Sequence, residues 1–333
     1  MKRWEYVPGQ GNLAICDVER PVPGAGEVLV RVRALSLNYR DVAMLDGVFP
    51  APPDERIVPG SDMSGEVVGL GPSTRRFQIG ASVISADTMN WIDGPAPPRE
   101  TNSVAILGRL AEYVVVPEEN LVLAPASLSH VEASTLPVAG LTAWFALIEL
   151  GGVKAGDTVV IQGTGGVSLF ALQFAKAHGA RTIVVTSNDY KAARARSLGA
   201  DDAVDRIAVP DWHEAVLELT GGAGASHIVE MSGGDNIARS VSALAFGGRI
   251  SLIGVLGETE LRAPILPMLY KRAQIIAIGV GHRRAEEDMI RAIDHLGIKP
   301  VIDAVYPFAD AAEAFHHLRR GPFGKVVIEL PEG

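Results

Sequence analysis

The stretch Thr158 to Ala180, TVVIQGTGGVSLFALQFAKAHGA, decides the fold. Val159, Val160 and Ile161 form a short apolar run that stops at Gly163, Thr164, Gly165 and Gly166, the pattern of a buried strand meeting a tight turn. Beyond the turn, Val167, Phe170, Ala171 and Phe174 return at helical spacing, so one helix face packs back onto the sheet, and Gly179 ends the helix. Such a turn aims unpaired backbone N–H groups and the positive end of a helix dipole at one point, where a pyrophosphate binds. Glycine is needed because a side chain would block the phosphate or crowd the turn. The usual last glycine of the dinucleotide fingerprint is Ser168 here, and a glycine turn can also simply join strand to helix. A second strand at Arg181 to Thr186 completes a βαβ unit and favours dinucleotide binding.

Working outward, HVEASTLPVAGLTAWFALIEL, from His130, places small and apolar residues at helical spacing and leads into the glycine turn. After the turn the spacing predicts a helix over 190–198, a strand near Ala203, a helix over 212–219 and a strand over 227–231. A helix over 237–245 and strands over 249–254 and 274–280 follow. Regular alternation of this kind predicts an α/β fold with a doubly wound parallel sheet, the Rossmann arrangement. The first 123 residues differ: EVLVRVRA (27–34) alternates apolar and charged residues, and 65–69 and 81–85 look similar, so a β-rich region is expected. Between them and the sheet, 85–108 reads as a long proline-rich loop, either a binding lid or a solvated excursion. The tail from Glu286 to Leu330 is expected to return to the first domain. The predicted domains are therefore 1–123 with 282–333, and 124–281.

Two domains also suit 333 residues, and 47% hydrophobic with 21% charged residues describes a folded chain. A net charge of −9 offers nucleic acid or an anionic membrane surface no attraction. The one cysteine, Cys16, leaves no intrachain disulfide and no cysteine-clustered zinc site. The N-terminus MKRWEYVPGQ lacks the apolar core of a signal peptide and no stretch is long enough to span a membrane, so a cytoplasmic location with no membrane partner is expected.

The second strand bears on the choice of dinucleotide. An NAD site normally ends this strand with an acid that accepts hydrogen bonds from the ribose hydroxyls. Here the strand runs IVVTSNDYK, and Thr186 takes that position. Ser187, Asn188 and Lys191 can instead donate to a 2′-phosphate, which a threonine does not repel, while Asp189 opens the next helix. NADPH is preferred over NADH. By the rule that ligands bind at the carboxyl ends of parallel strands, Met231, Ser232, Gly254 and Val255 join Gly163, Thr164, Gly165, Gly166 and Val167 as cofactor-binding candidates.

ALSLNYRDVAMLDG (34–47), VPGSDMSGEVVGLG (58–71), LPVAGLTAW (136–144) and VIQGTGGVSLFALQFAKAHGA (160–180) together resemble the medium-chain dehydrogenase/reductases, over nearly the whole chain. The chain is most similar to their zinc-independent, quinone oxidoreductase-like branch, which includes proteins described as zinc-type alcohol dehydrogenase-like. The resemblance implies a GroES-like β-rich substrate domain beside the Rossmann domain, and a homodimer. It also implies the departures. Where the family's zinc alcohol dehydrogenases carry Cys-His, this chain has Asn38 and Tyr39, and Gly-His-Glu is replaced by Gly60, Ser61 and Asp62. No soft ligand remains, so no zinc is expected. Asp41, Asp62 and Asp87 could hold a hard cation weakly, but solvated or capping carboxylates are the expectation.

Without a metal, hydride transfer from NADPH is best matched to a small apolar acceptor, a quinone or an α,β-unsaturated carbonyl. Asn38, in the place of the lost ligand, is the candidate donor to the acceptor oxygen, or an amide satisfying turn backbone. Tyr39 is the second catalytic candidate, or partly buried packing. By resemblance Thr142 sits beside the cofactor and Lys325 closes the chain over it, although a helix hydroxyl and a solvated charge are the plainer alternatives. Two other functions stay open: a zinc-free alcohol or carbonyl dehydrogenase, and a non-catalytic NADPH-binding protein.

Overall fold

A computed structural model describes residues 1–7, 13–48, 56–88, 90–97, 108–254 and 260–331. They form two compact units, Met1–Leu141 with Val280–Gly333, and Thr142–Gly279.

In the first unit β1 (Lys2–Glu5) and β2 (Ala14–Asp17) make an antiparallel ribbon. β3 (Glu27–Ser36) buries Val28, Val30, Val32 and Ala34, while Arg31 and Arg33 reach across to Glu66. α1 (Tyr39–Leu45), β4 (Asp62–Leu70), β5 (Ser82–Ser85), β6 (Tyr113–Pro117), β7 (Leu121–Leu123) and α2 (His130–Ala133) follow. The chain continues through the short α3 (Leu141–Trp144), flanked on both sides by wide π-type turns.

The second unit alternates as its sequence does: β8 (Thr158–Gln162), α4 (Gly166–Ala177), β9 (Arg181–Thr186), α5 (Asp189–Ser197), β10 (Asp202–Asp205), α6 (Trp212–Leu219), β11 (Ala225–Glu230), α7 (Asn236–Ala243), β12 (Leu244–Leu252), α8 (Ile265–Lys271) and β13 (Gln274–Ala277). All six strands are parallel, in the order β10-β9-β8-β11-β12-β13. The order reverses between β8 and β11, so the crevice outside their carboxyl ends is where such a sheet takes a ligand. Val160, Ile183, Ile228 and Ile250 line one side of the sheet under Trp212, Val216, Ile237 and Val241. β13 ends earlier than its apolar run suggests, and Val280 sits just beyond in the left-handed region, at φ 64°.

The return supplies α9 (Arg283–Leu296), β14 (Ile302–Pro307), α10 (Ala311–Arg319) and β15 (Lys325–Glu329). β14 and β15 extend the first sheet, in the order β14-β15-β3-β4-β5-β7 with β6 also on β3. Phe308, Phe315 and Val326 therefore share a core with Val30, Leu35 and Met63. Residues 124–141 also stay with this unit, beyond the boundary expected at Leu123. His130 Nδ1 lies 2.7 Å from Ser64 Oγ and the Val138 N–H donates to Asp62 at 3.3 Å, ties that the helical texture of the segment does not reveal. Among the described residues no helix is long and apolar enough to cross a membrane.

Candidate active site

In the second unit the glycine turn is open where a phosphate would need it. Gly163 adopts φ +79°, available cheaply only to glycine, and a Cβ built on Gly165 meets nothing within 4 Å. No side chain caps α4, so the free N–H groups of its first turn, from Gly166 and Val167, face the turn's open side. Ser168, in the place of the third glycine, is buried and donates its hydroxyl to Gln162 O at 2.7 Å, tying helix to strand. These features fit a dinucleotide pyrophosphate.

At the end of β9, Thr186 is buried and Ser187 half-buried, while the exposed Asn188 uses Oδ1 to cap α5 at Lys191 N, 2.8 Å away. The Arg206 N–H donates to Thr186 O at 2.8 Å. An arginine twenty positions further on is thus brought to the strand end by the pairing of β10 with β9, which no local pattern signals. Asp205 stands opposite Thr186 in the register, with Oδ1 accepting from Ile207 N at 2.9 Å. Past β11, Met231 and Ser232 are half-buried, and Gly254 must be glycine because a Cβ there would stand 1.8 Å from Met231 O. Thr142 is buried in α3. Val255 lies outside the described residues, as do Met89 and 98–107 of the long loop.

The first unit holds a second constellation. The buried Lys325 ammonium donates to Asn38 Oδ1 at 2.6 Å and Leu37 O at 2.7 Å, and stands 3.8 Å from Asp62 Oδ2. An ammonium has only protons to offer, so Asn38 must present its oxygen to it. The amide nitrogen is thereby turned the other way, 3.4 Å from Ser61 Oγ, which donates onward to Asp62 Oδ1 at 2.8 Å. Asp62 also accepts from Ser36 Oγ and Val138 N. Burial pushes Lys325 down and Asp62 up, each against the pull of the other's charge.

Asp41 does not pair with its neighbour Arg40. Its carboxylate accepts from Asn38 N at 2.8 Å, and burial raises it to about 6 against the pull of Arg40. Arg40 pairs instead with Asp87 at 2.9 Å, and Arg109 donates to Ser61 O. Asp41, Asp62 and Asp87 are all buried, so none is solvated, while Asp41 is a capping carboxylate at the start of α1, as the sequence allowed. Glu286 is wholly buried, and neither carboxyl oxygen has a hydrogen-bond partner among the described residues. Burial, with the Asp62 and Asp87 charges, holds it far above the usual carboxylate range. Arg109 and Glu286 carried no sequence signal of a site.

Tyr39 stands apart from this network, 57% exposed at the start of α1. His282 is a structural cap, its Nδ1 accepting from Ala285 N at 3.0 Å. Lys325, expected over the cofactor, has its ammonium engaged by Leu37 and Asn38.

The donors around Asn38 do not fit zinc. They are an amide, a hydroxyl and one carboxylate already held by three other groups, and a lysine cation stands where a metal would have to approach. Among the described residues no three His, Cys, Asp or Glu side chains converge on a metal position.

A six-stranded parallel sheet with an open glycine turn at its switch point, joined in one chain to a mainly antiparallel β-rich unit, defines a nicotinamide-dependent dehydrogenase fold. Residues 24–126 match the alcohol dehydrogenase GroES-like domain and 166–327 the zinc-binding dehydrogenase family. A zinc-type alcohol dehydrogenase-like protein of Schizosaccharomyces pombe is 38% identical over 315 residues, 92% of this chain and 91% of that protein. An alcohol dehydrogenase-type structure from Sinorhizobium meliloti is 48% identical, with a TM-score of 0.90 over 99% of both chains. The structure of an NAD-dependent alcohol dehydrogenase is 33% identical, with a TM-score of 0.89 over 99% of this chain and 100% of that one. More distantly, human quinone oxidoreductase is 26% identical over 94% of this chain and 92% of its own length. The chain belongs to the medium-chain dehydrogenase/reductase superfamily, in its quinone oxidoreductase-like branch, and is an oxidoreductase of that family.

Proposed function

We propose that this chain is a zinc-independent, NADPH-dependent reductase that passes hydride to a quinone or an α,β-unsaturated carbonyl. The observation that carries the reading is the Lys325–Asn38–Ser61 arrangement, an oriented amide backed by a buried cation where zinc relatives would hold their metal. With its oxygen committed to Lys325, Asn38 turns Nδ2 toward Ser61 and the Asp62 carboxylate, and an acceptor oxygen would take that donor in exchange for these contacts. Such a preset donor stabilises the oxyanion that forms on the acceptor as hydride arrives, and the nearby ammonium adds to it. The bound nicotinamide supplies the hydride. Asp41, titrating near 6, is suited to exchanging a proton within the same cluster. The turn from Gly163 to Val167 holds the pyrophosphate, with Gly166 and Val167 donating their N–H groups and Gly163, whose own N–H goes to Val185 O at 2.7 Å, shaping the turn. Thr186, Ser187, Asn188, Lys191 and Arg206 take the 2′-phosphate, and Thr142, Met231, Ser232 and Gly254 flank the nicotinamide half.

Asn38→Ala should lower kcat by about 10²- to 10³-fold, the usual cost of one oxyanion donor, while NADPH binds as before. Unchanged kcat would remove the amide from the mechanism. A second reading, an NAD-dependent alcohol dehydrogenase, is favoured by Asp205 beside Thr186 and by what the similar proteins are called. Alcohol-dependent reduction of NAD, absent with NADP, supports that reading. As a whole the protein is read as a cytoplasmic homodimer.

A further inference from the structure

β8 and β11 are adjacent where the strand order reverses, and their backbone ladder stops at the pair Ile161 and Val229. Beyond it a buried side-chain network holds the two strand ends together. Glu230, the last residue of β11 and wholly buried, gathers five donor groups on one carboxylate. Oε1 accepts from Ser232 N at 2.9 Å, Gly233 N at 3.1 Å and Asn236 Nδ2 at 3.0 Å. Oε2 accepts from Gln162 Nε2 at 2.8 Å, Asn236 Nδ2 at 3.1 Å and Ser240 Oγ. Gln162 closes the circuit, its Oε1 taking Met231 N at 3.3 Å and Asn236 Nδ2 at 3.0 Å. Gln162 is also the residue before Gly163, and its own carbonyl takes the Ser168 hydroxyl. All of these donors are neutral, and together they occupy both oxygens of the Glu230 side chain.

An arrangement this complete exceeds what closing a turn after β11 requires, since three of its partners, Gln162, Asn236 and Ser240, come from β8 and α7. We propose that Glu230 is a positioning residue for the nicotinamide half of the cofactor. It fixes the backbone of Met231 to Gly233 against the strand that carries the glycine turn, and so sets the spacing of the two strand ends between which that half lies. The proposal rests on the reading that this chain binds a nicotinamide dinucleotide. The adenosine half belongs to the end of β9, on the far side of β8, where Glu230 has no contact.

Glu230→Gln keeps the shape but turns one acceptor into a donor facing groups that already donate. Fluorescence titration of NADPH and NADH against wild type and E230Q tests the proposal, alongside calorimetric titration of adenosine 2′,5′-bisphosphate and ADP, which fill only the adenosine half. The better-bound full cofactor should lose at least about tenfold in affinity, the scale of one hydrogen bond to a charged group, with the adenosine fragments unchanged within about twofold. Ser240→Ala, which removes one donor only, should show the same split more weakly and serves if E230Q does not fold. Equal losses for cofactor and fragment, or no loss for either, overturn the proposal. Wild type that binds none of the four ligands removes the nucleotide reading and this proposal with it.

Discussion

Asn38 was legible because its place in the chain is that of a missing metal ligand, but what orients it was not. Lys325, which fixes the amide, lies 287 positions away, and only the return of β15 alongside β3 brings the two together. The same burial explains Asp41. Its carboxyl titrates near 6 when folded against 3.8 for a free aspartate, so between these values the folded chain holds more proton than the unfolded one. Stability from this group is complete below about pH 4 and is lost as pH rises through about 6. Denaturation at pH 4 and pH 7 should therefore show wild type losing up to about 3 kcal/mol that Asp41→Asn does not lose. Identical pH dependence in both would place Asp41 in contact with solvent.

At the scale of elements, the glycine turn and its helix were readable because strand, turn and amphipathic helix each leave a local pattern, and all three agree. Ser168 looked like a defect in that pattern and proves to be a tie between α4 and β8. Arg206 was invisible for the converse reason, since it reaches Thr186 only through the pairing of β10 with β9. Removing a cation near a 2′-phosphate weakens binding of that phosphate and leaves the rest of the nucleotide alone. Arg206→Ala should raise the Kd for NADPH about tenfold while that for NADH stays within about twofold, measured by fluorescence titration. Equal effects on both would set Arg206 aside from the choice of cofactor.

Across the whole molecule, the order of a β-rich region, a parallel sheet and a return was readable from where the hydrophobic period changes. The boundary was not, because residues 124–141 look helical and yet hydrogen-bond to β4 of the first unit. The described part of the second sheet ends at β13, which pairs on one side with β12, and α8 exposes Ile265, Leu266, Leu269 and Tyr270 nearby. An open strand edge beside apolar side chains suits pairing with a second copy of the chain. Sedimentation should give a dimer that Leu269→Glu with Tyr270→Glu converts to monomer, and a wild-type monomer at micromolar concentration would contradict it. Whether the protein is a reductase that prefers NADPH and works without a metal is decided by following NADPH and NADH oxidation by chelator-treated protein on addition of a quinone or an enone, before and after zinc is restored. NADPH should be oxidised at a rate that zinc does not raise. Activity that appears only with zinc, or only with NADH, would contradict it.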